Sequence, residues 1–204
     1  MDCLQYTCRP GGLALTKQAL SLCRFAPGAH VVDIGCGSGA TLDFMNSMCG
    51  FKAVGVELEA DFCDGVRILK GDGAELPFAN GSMDGVLMEC SFSGMERPDA
   101  VLTECRRVLK PEGRLIISDM IARGEEMELI GLLGRLEGLE SIEARMERTG
   151  WMVEYREDYS RALQELWGQM LLEGGEDVLG IPRELLKRAK SGYYLWICKL
   201  AEVT

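Results

Sequence analysis

Residues 31–39 read VVDIGCGSG, and this stretch decides the fold of the chain. Its apolar start, with one acid at Asp33, is typical of a buried strand, and glycines follow at positions 35, 37 and 39. Because glycine has no Cβ, the backbone can turn sharply out of the strand and approach a ligand closely. The stretch therefore predicts a strand, a nucleotide-type binding loop and then a helix.

Two classes of nucleotide fit this loop. Gly35, Gly37 and Ala40 also match the G-x-G-x-x-G/A pattern of dinucleotide-binding loops, and Glu57 stands where a ribose-binding acid is expected. The Asp33 carboxylate, however, would repel the pyrophosphate of NAD. S-adenosylmethionine has no phosphate, and a nearby carboxylate attracts its ammonium and its sulfonium. Asp33 therefore favours a methyl-donor site, with an NAD-dependent oxidoreductase as the alternative.

Composition limits the class of protein. The chain has 204 residues, 47% of them hydrophobic, so we expect one domain over residues 1–204. The formal net charge of -10 gives no electrostatic signature of a nucleic-acid or anionic-membrane partner. We expect neither a secretory signal nor a membrane-spanning segment. The 9 cysteines include no C-x-x-C pair, which predicts reduced thiols and a cytoplasmic location.

Apolar runs alternate with turn residues along the chain. The predicted strands are residues 31–34, 53–57, 66–69, 85–88, 115–118, 151–155 and 193–200. The predicted helices are residues 13–23, 40–48, 98–109, 127–136, 141–149 and a segment around 163–171. Strands that alternate with helices indicate a Rossmann-like, doubly wound α/β fold. We expect a mostly parallel sheet of about seven strands, with an antiparallel C-terminal strand and helices on both faces.

Four ordered motifs resemble those of a known family. They are VVDIGCGSG (31–39), GVE (55–57), LKGDGAELPFANGSMDGVLMEC (69–90) and RRVLKPEGRLIISD (106–119). Together they resemble the class I S-adenosylmethionine-dependent methyltransferases, above all their type 11, small-molecule branch. The flanking RPGGLALT (9–16) resembles a bacterial subgroup of these proteins. The resemblance implies in-line methyl transfer from S-adenosylmethionine to a small molecule whose identity the motifs leave open.

The resemblance also implies a donor site. In that site the glycine loop holds the carboxypropyl arm and the ribose, and Asp33 helps to hold the amino end. Glu57 accepts hydrogen bonds from the ribose hydroxyls, and Asp72 binds the adenine. Glu89 is expected to bind the donor's ammonium or to act as a base. The predicted donor residues are Asp33, Gly35, Cys36, Gly37, Gly39, Glu57, Leu58, Asp72, Gly73, Ala74 and Glu89.

The acceptor side is predicted from position alone. Cys90 and Asp119 follow predicted strands, and Tyr6 and Arg9 precede the first helix, where we expect a lid. We assign these four residues to the acceptor pocket, and we name no catalytic residue, no metal site and no oligomeric state. Methyl transfer depends on alignment and on exclusion of water, so a site without a histidine base is compatible with activity.

Two further alternatives remain open at this point. The first is a methyltransferase-like module that binds the donor or a partner and transfers nothing. The second is an arsenite methyltransferase, because that group shares the same core motifs. Its chemistry needs several thiolates around one metalloid, and the motifs place only Cys90 near the site.

One segment departs from the family pattern. Only the 8 residues 58–65 separate the second and third predicted strands. A parallel crossover usually takes about a dozen residues or more and includes a helix. Either this helix is lost or residues are missing from the sequence. In both cases the wall of the adenine pocket is expected to differ from that of the family.

Overall fold

The computed structural model describes residues 9–129, 134–172 and 183–202. The strands are β1 (His30–Ile34), β2 (Lys52–Glu57), β3 (Ile68–Lys70), β4 (Met83–Glu89), β5 (Leu109–Ile121), β6 (Met127–Glu128), β7 (Arg135–Leu136), β8 (Trp151–Asp158) and β9 (Gly192–Leu200). The helices are α1 (Gly12–Cys23), α2 (Ala40–Met48), α3 (Pro98–Val108), α4 (Leu139–Arg148), α5 (Ser160–Leu172) and α6 (Arg183–Ala189). None of the helices within these ranges has the length and hydropathy needed to cross a bilayer.

Seven of the strands form one sheet in the order β3-β2-β1-β4-β5-β9-β8. Strands β1 to β5 pair in parallel, whereas β9 is antiparallel to both of its neighbours, β5 and β8. The predicted fold class is therefore confirmed, including the antiparallel C-terminal strand. The strand order reverses between β1 and β4, and ligands of such sheets bind at the carboxyl ends of the strands beside the reversal.

Two apolar clusters cover the two faces of the sheet. Leu42 of α2 and Leu163 of α5 belong to one cluster, and Val101 of α3 belongs to the other. Successive side chains of a strand point to opposite faces, so Val31 packs in the first cluster and Val32 in the second. Since helices bury both faces, the loops at the strand ends are left to form a site.

The helix predicted over residues 127–136 is wrong. Its described residues contain the short antiparallel strands β6 and β7 instead. The N–H of Leu129 donates to the carbonyl of Gly134 at 2.7 Å, and Gly134 has a φ of 50°. Such a left-handed residue ends a helix, and Leu129 and Leu136 beside it are buried. The strand predicted at 115–118 is also longer, since β5 already begins at Leu109.

The connection between β2 and β3 contains no α-helix. The structure describes all of residues 58–67, and their only helical element is a 3-10 turn at Ala60–Phe62. The Asp64 carboxylate stabilises this short connection by accepting hydrogen bonds from the backbone N–H groups of Val66, Arg67 and Ile68. These bonds lower the pKa of Asp64 to about 2. With no helix over them, the side chains of Leu58, Phe62 and Val66 are exposed.

Candidate functional site

The glycine loop leaves β1 at its carboxyl end, and its backbone depends on glycine. Gly35, Gly37 and Gly39 have φ values of 75°, 51° and 83°. A Cβ at Gly35 would lie 2.5 Å from the Cβ of Ser91, so the loop touches the segment that follows β4. A Cβ at Gly37 would meet no atom within 4 Å. Gly37 therefore borders open space, from which a ligand can approach the backbone.

Glu57, at the end of β2, is held beside this open space. One carboxylate oxygen accepts a hydrogen bond from the N–H of Gly37 at 2.8 Å, and the other accepts one from the N–H of Leu58 at 2.8 Å. These bonds fix the orientation of the carboxylate. The second oxygen also accepts a hydrogen bond from the N–H of Glu59 at 3.2 Å, so the oxygen bonded to Gly37 is the one that keeps lone-pair capacity for a further donor such as a sugar hydroxyl. The structure thus brings Glu57, Leu58 and the glycine loop together.

Asp72 lies in the turn after β3. It accepts hydrogen bonds from the N–H of Ala74 at 2.8 Å and from Arg97 at 2.7 Å, and these bonds lower its pKa. The same turn lies close to the end of β1, because a Cβ at Gly73 would be 2.8 Å from a methyl group of Ile34. The residues predicted to bind adenine therefore lie next to the glycine loop.

The two remaining residues of the loop, Cys36 and Gly39, have different positions: Cys36 packs against β2, and Gly39 leads into α2. The Cys36 thiol packs over β2, where a Cβ at Gly55 would lie 2.2 Å from its sulfur. Burial, with smaller contributions from Asp33 and Glu57, raises the pKa of Cys36 to about 12, so the thiol is protonated at neutral pH. Gly39 is the residue that precedes α2.

Three buried charged side chains lie where the strand order reverses: Asp33, Glu89 and Arg9. The Glu89 carboxylate accepts hydrogen bonds from Arg9 and from the Thr16 hydroxyl, both at 2.8 Å, and from the Thr41 hydroxyl at 3.3 Å. Both threonine hydroxyls in turn accept hydrogen bonds from Arg9. Only 12% of the Arg9 side chain and 5% of the Glu89 side chain are exposed. Removing such charges from water is costly, so this cluster is a candidate site rather than a source of stability.

The electrostatics of this cluster favour a cation. Burial, with a further contribution from the charge of Glu89, raises the pKa of Asp33 to about 8, although Arg9 opposes the rise. Burial also raises the pKa of Glu89, against the opposing effects of Arg9 and the two threonines. The cluster holds two carboxyl groups and one guanidinium, so it is one positive charge short when both carboxyl groups are ionised.

Residues 32–117 match a family model described as a methyltransferase domain. Over these residues the chain is similar to methyltransferase domains. The match supports the methyl-donor interpretation of the glycine loop over the dinucleotide one. The matched segment contains the glycine loop and the acids Asp33, Glu57, Asp72 and Glu89.

Proteins similar to this chain include the demethylmenaquinone methyltransferase of Symbiobacterium thermophilum, which is 28% identical over 115 residues, or 49% of this chain and 46% of that protein. The chain spans about half the length of the first curated relatives that it matches. Geranyl diphosphate C-methyltransferase from Streptomyces coelicolor, solved with S-adenosyl-L-homocysteine, has a TM-score of 0.77 at 18% identity, covering 93% of this chain and 80% of that one. The [4+2]-cyclase SpnF has a TM-score of 0.76 at 18% identity, covering 93% and 81%. Both structures share the fold.

Cys90 follows Glu89 directly and has a left-handed backbone, with a φ of 55°. Its sulfur lies 3.1 Å from the hydroxyl oxygen of Tyr193, and that hydroxyl donates to the Ser118 hydroxyl at 3.0 Å. Burial is the main cause that raises the pKa of the Cys90 thiol. The thiol therefore stays protonated and is a weak nucleophile.

Asp119 is buried at the end of β5. Its carboxylate accepts hydrogen bonds from the N–H and the hydroxyl of Ser93, at 2.8 and 3.0 Å, and from the N–H of Met120. Burial raises its pKa. Asp119 thus ties the segment after β4 to β5. Tyr6, the remaining residue assigned to the acceptor pocket, lies outside the described residues.

Three polar residues of the site are not predicted from the sequence: Thr16, Thr41 and Tyr193. Thr16 is fully buried between Leu15 and Ala19 of α1. A polar residue on the apolar stripe of an amphipathic helix is a signal that the sequence does contain. Nothing in the sequence shows that Thr16 faces Glu89, because 73 residues separate the two.

Proposed function

We propose that the chain binds S-adenosylmethionine and transfers its methyl group to a small molecule by in-line displacement. The observation that carries this proposal is the pair of buried acids, Asp33 and Glu89, beside a glycine loop with open space at Gly37. This arrangement suits a ligand with a cationic amino-acid end and disfavours a pyrophosphate. The family match and the methyltransferase relatives support the same activity.

Different residues of the site would bind different parts of the donor. S-adenosylmethionine, when bound, supplies a methyl group activated by a sulfonium. Glu57 would accept hydrogen bonds from the ribose hydroxyls, and Asp33 with Glu89 would hold the ammonium. The turn at Asp72 would border the adenine. We assign no base, because the Glu89 carboxylate is already paired with Arg9 and the Cys90 thiol is protonated.

The acceptor, the partners, the location and the domain organisation of the protein remain predictions. We propose a small-molecule acceptor of unassigned identity and no nucleic-acid partner, on the basis of the net charge of -10. A cytoplasmic location and a bacterial origin also stay predictions, as does a single domain over residues 1–204. The free thiols of the described cysteines support a reducing compartment, and the seven-stranded sheet, which contains both β1 and β9, supports one domain.

Calorimetric titration of the full chain tests the donor site. We expect S-adenosylmethionine and S-adenosylhomocysteine to bind and NAD to show no binding. In Gly37→Ala, the added Cβ enters the space beside the loop, so we expect donor affinity to fall at least about tenfold. The left-handed φ should cost about 1 kcal/mol of stability. Gly28→Ala is the matched control, because Gly28 has a φ of 80° and no atom within 4 Å.

Two results of this titration would contradict the proposed donor site or its test. A wild-type protein that binds neither adenosyl ligand, or that NAD protects against thermal unfolding, does not have this donor site. An equal loss of donor affinity in Gly28→Ala would show that Gly37→Ala acts through the fold and not through the ligand.

Donor binding without methyl transfer is a second candidate function. The observation that favours it is the [4+2]-cyclase SpnF, whose likeness in fold, at a TM-score of 0.76, shows that this architecture is not confined to proteins named as methyltransferases. A panel of thiol, amine, hydroxyl and arsenite acceptors separates the two candidates. Retained donor binding with no methylated product across the panel would favour this second function.

A further inference from the structure

The RPGG segment (9–12) has a defined structural role at the start of α1. Gly11 and Gly12 have φ values of 73° and 49°, and the N–H of Gly12 donates to the carbonyl of Arg9 at 3.1 Å. A Cβ at Gly11 would lie 2.8 Å from the Cβ of Leu15. The chain therefore turns back closely onto α1. This turn places the Arg9 side chain beside Thr16 and over the end of β4.

Among the described residues, one donor of the Arg9 guanidinium has no partner. Its two terminal nitrogens donate to Thr41, Thr16 and Glu89. Its Nε–H is buried and has no hydrogen-bond partner among the described residues. Buried donors are almost always paired in folded proteins, so an unpaired one indicates a missing acceptor. A guanidinium presents its donors in a planar fork that matches a carboxylate.

The charges around Arg9 match one part of the proposed donor. The amino-acid end of S-adenosylmethionine carries an ammonium and a carboxylate on the same carbon atom. Glu89 offers negative charge to the ammonium, Asp33 can lose its proton beside that ammonium because its pKa is about 8, and Arg9 offers positive charge to the carboxylate. Arg9, Glu89 and Asp33 act electrostatically on one another within this cluster.

We propose that Arg9 binds the carboxylate of the donor's amino-acid end. The RPGG turn then belongs to the donor site, and not to the acceptor pocket to which the sequence assigned Arg9. This inference rests on the proposed function, because it needs a donor in the site. Glu89, Thr16 and Thr41 act as positioning residues that hold the guanidinium.

A pair of ligands tests the contact directly. One is S-adenosylhomocysteine, and the other is its analogue without the carboxyl group. We expect the wild-type protein to bind the analogue about 10- to 100-fold more weakly. Arg9→Gln should bind S-adenosylhomocysteine more weakly by a similar factor and should no longer distinguish the two ligands. Methylthioadenosine, which lacks the whole amino-acid arm, should bind both proteins equally.

The matched control is Arg161→Gln on α5, where the arginine side chain is 91% exposed, and this variant should keep the wild-type preference. If Arg9→Gln does not fold, Arg9→Lys replaces it, because lysine keeps the charge beside Glu89 and loses the planar fork. Arg9→Lys should weaken S-adenosylhomocysteine binding about tenfold and leave methylthioadenosine binding unchanged.

Two outcomes must be kept apart. If the wild-type protein binds none of the three ligands, the proposed function fails. If it binds them and Arg9→Gln, or Arg9→Lys in its place, keeps the full wild-type preference for the carboxyl-bearing ligand, the assignment of Arg9 is overturned. An equal loss of affinity for methylthioadenosine would also overturn it, because Arg9 would then act only through the structure.

Discussion

The two ends of β4 each carry one acid, and the two acids have opposite environments. Asp84, at the amino end, is 30% exposed and accepts hydrogen bonds from Lys110 at 2.7 Å and from the N–H of His30 at 2.8 Å. Partial burial acts to raise its pKa, but these bonds prevail and lower it. Glu89, at the carboxyl end, is almost fully buried, and its pKa is raised despite Arg9.

This difference separates an acid that serves the fold from an acid available to a ligand. Asp84 fastens the start of β4 to the start of β1 and to β5 at the protein surface. Glu89 and Asp33 are buried at the edge where the strand order reverses, and the Arg9 guanidinium acts electrostatically on both. Acids with raised pKa values in one place are typical of functional sites.

Glu89→Ala should produce the largest effect. It removes the anion from the buried Arg9, so we expect a loss of about 3 kcal/mol in the free energy of unfolding. Asp84→Ala removes a partly exposed partner of Lys110 and should cost about 0.5 kcal/mol. Urea unfolding followed by circular dichroism measures both. Equal losses would show that the buried acid Glu89 and the partly exposed acid Asp84 contribute alike to stability.

Features that depend on neighbouring residues could be predicted from the sequence, whereas contacts between residues far apart in the chain could not. The strand, loop and helix of residues 31–48 are local signals, since glycine spacing and apolar periodicity lie within one stretch. The hairpin at β6 and β7 was mistaken for a helix, because helical spacing of apolar residues cannot exclude a turn at Gly134.

The cluster of Asp33, Glu89 and Arg9 could likewise be predicted only in part. Asp33 and Glu89 were predicted, because each stands in a motif at the end of a strand. The partners of Glu89 were not, because Arg9 and Thr16 reach it only when α1 packs against the sheet. Their separations from Glu89 of 80 and 73 residues carry no periodic signal. Tertiary packing decides such contacts, and local sequence does not encode them.

Glycines at the two ends of β1 sharpen the comparison. Gly28 precedes the strand and Gly35 follows it, with φ values of 80° and 75°. The backbone strain of an alanine is therefore about the same at both positions. Only Gly35 is also in close contact, with the Cβ of Ser91 2.5 Å from an added Cβ. We expect Gly35→Ala to lose about 2–3 kcal/mol and Gly28→Ala about 1 kcal/mol, as measured by urea unfolding.

A smaller loss for Gly35→Ala than for Gly28→Ala would contradict the close contact between the loop and the segment after β4. A crystal structure of Gly35→Ala would then show whether Ser91 has moved. The two variants should also differ in donor affinity, because only Gly35 belongs to the loop. We expect this difference in donor affinity whichever of the two variants is the more stable.

Per pH unit, the smallest effect is a pH dependence that arises from Asp33. Its pKa is raised from an ordinary value of 3.8 to about 8, so the folded protein keeps this proton where the unfolded chain has lost it. The stability that this proton contributes is complete below pH 3.8 and is lost as the pH rises through about 8. The slope is at most about 1.4 kcal/mol per pH unit.

Asp33→Asn isolates this effect. Glu89, Arg9 and Glu57, whose charges act on Asp33, are present in both proteins, so the difference between their unfolding free energies removes the titration of other groups. We expect the stability of the wild-type protein relative to Asp33→Asn to fall between pH 5 and pH 8 and to level off above the pKa of about 8. Asp84→Asn should give no such slope in this range, because a lowered pKa moves stability only in acid. Parallel curves for wild type and Asp33→Asn would mean that Asp33 is ionised in the folded protein. Its negative charge would then need a cation closer than Arg9.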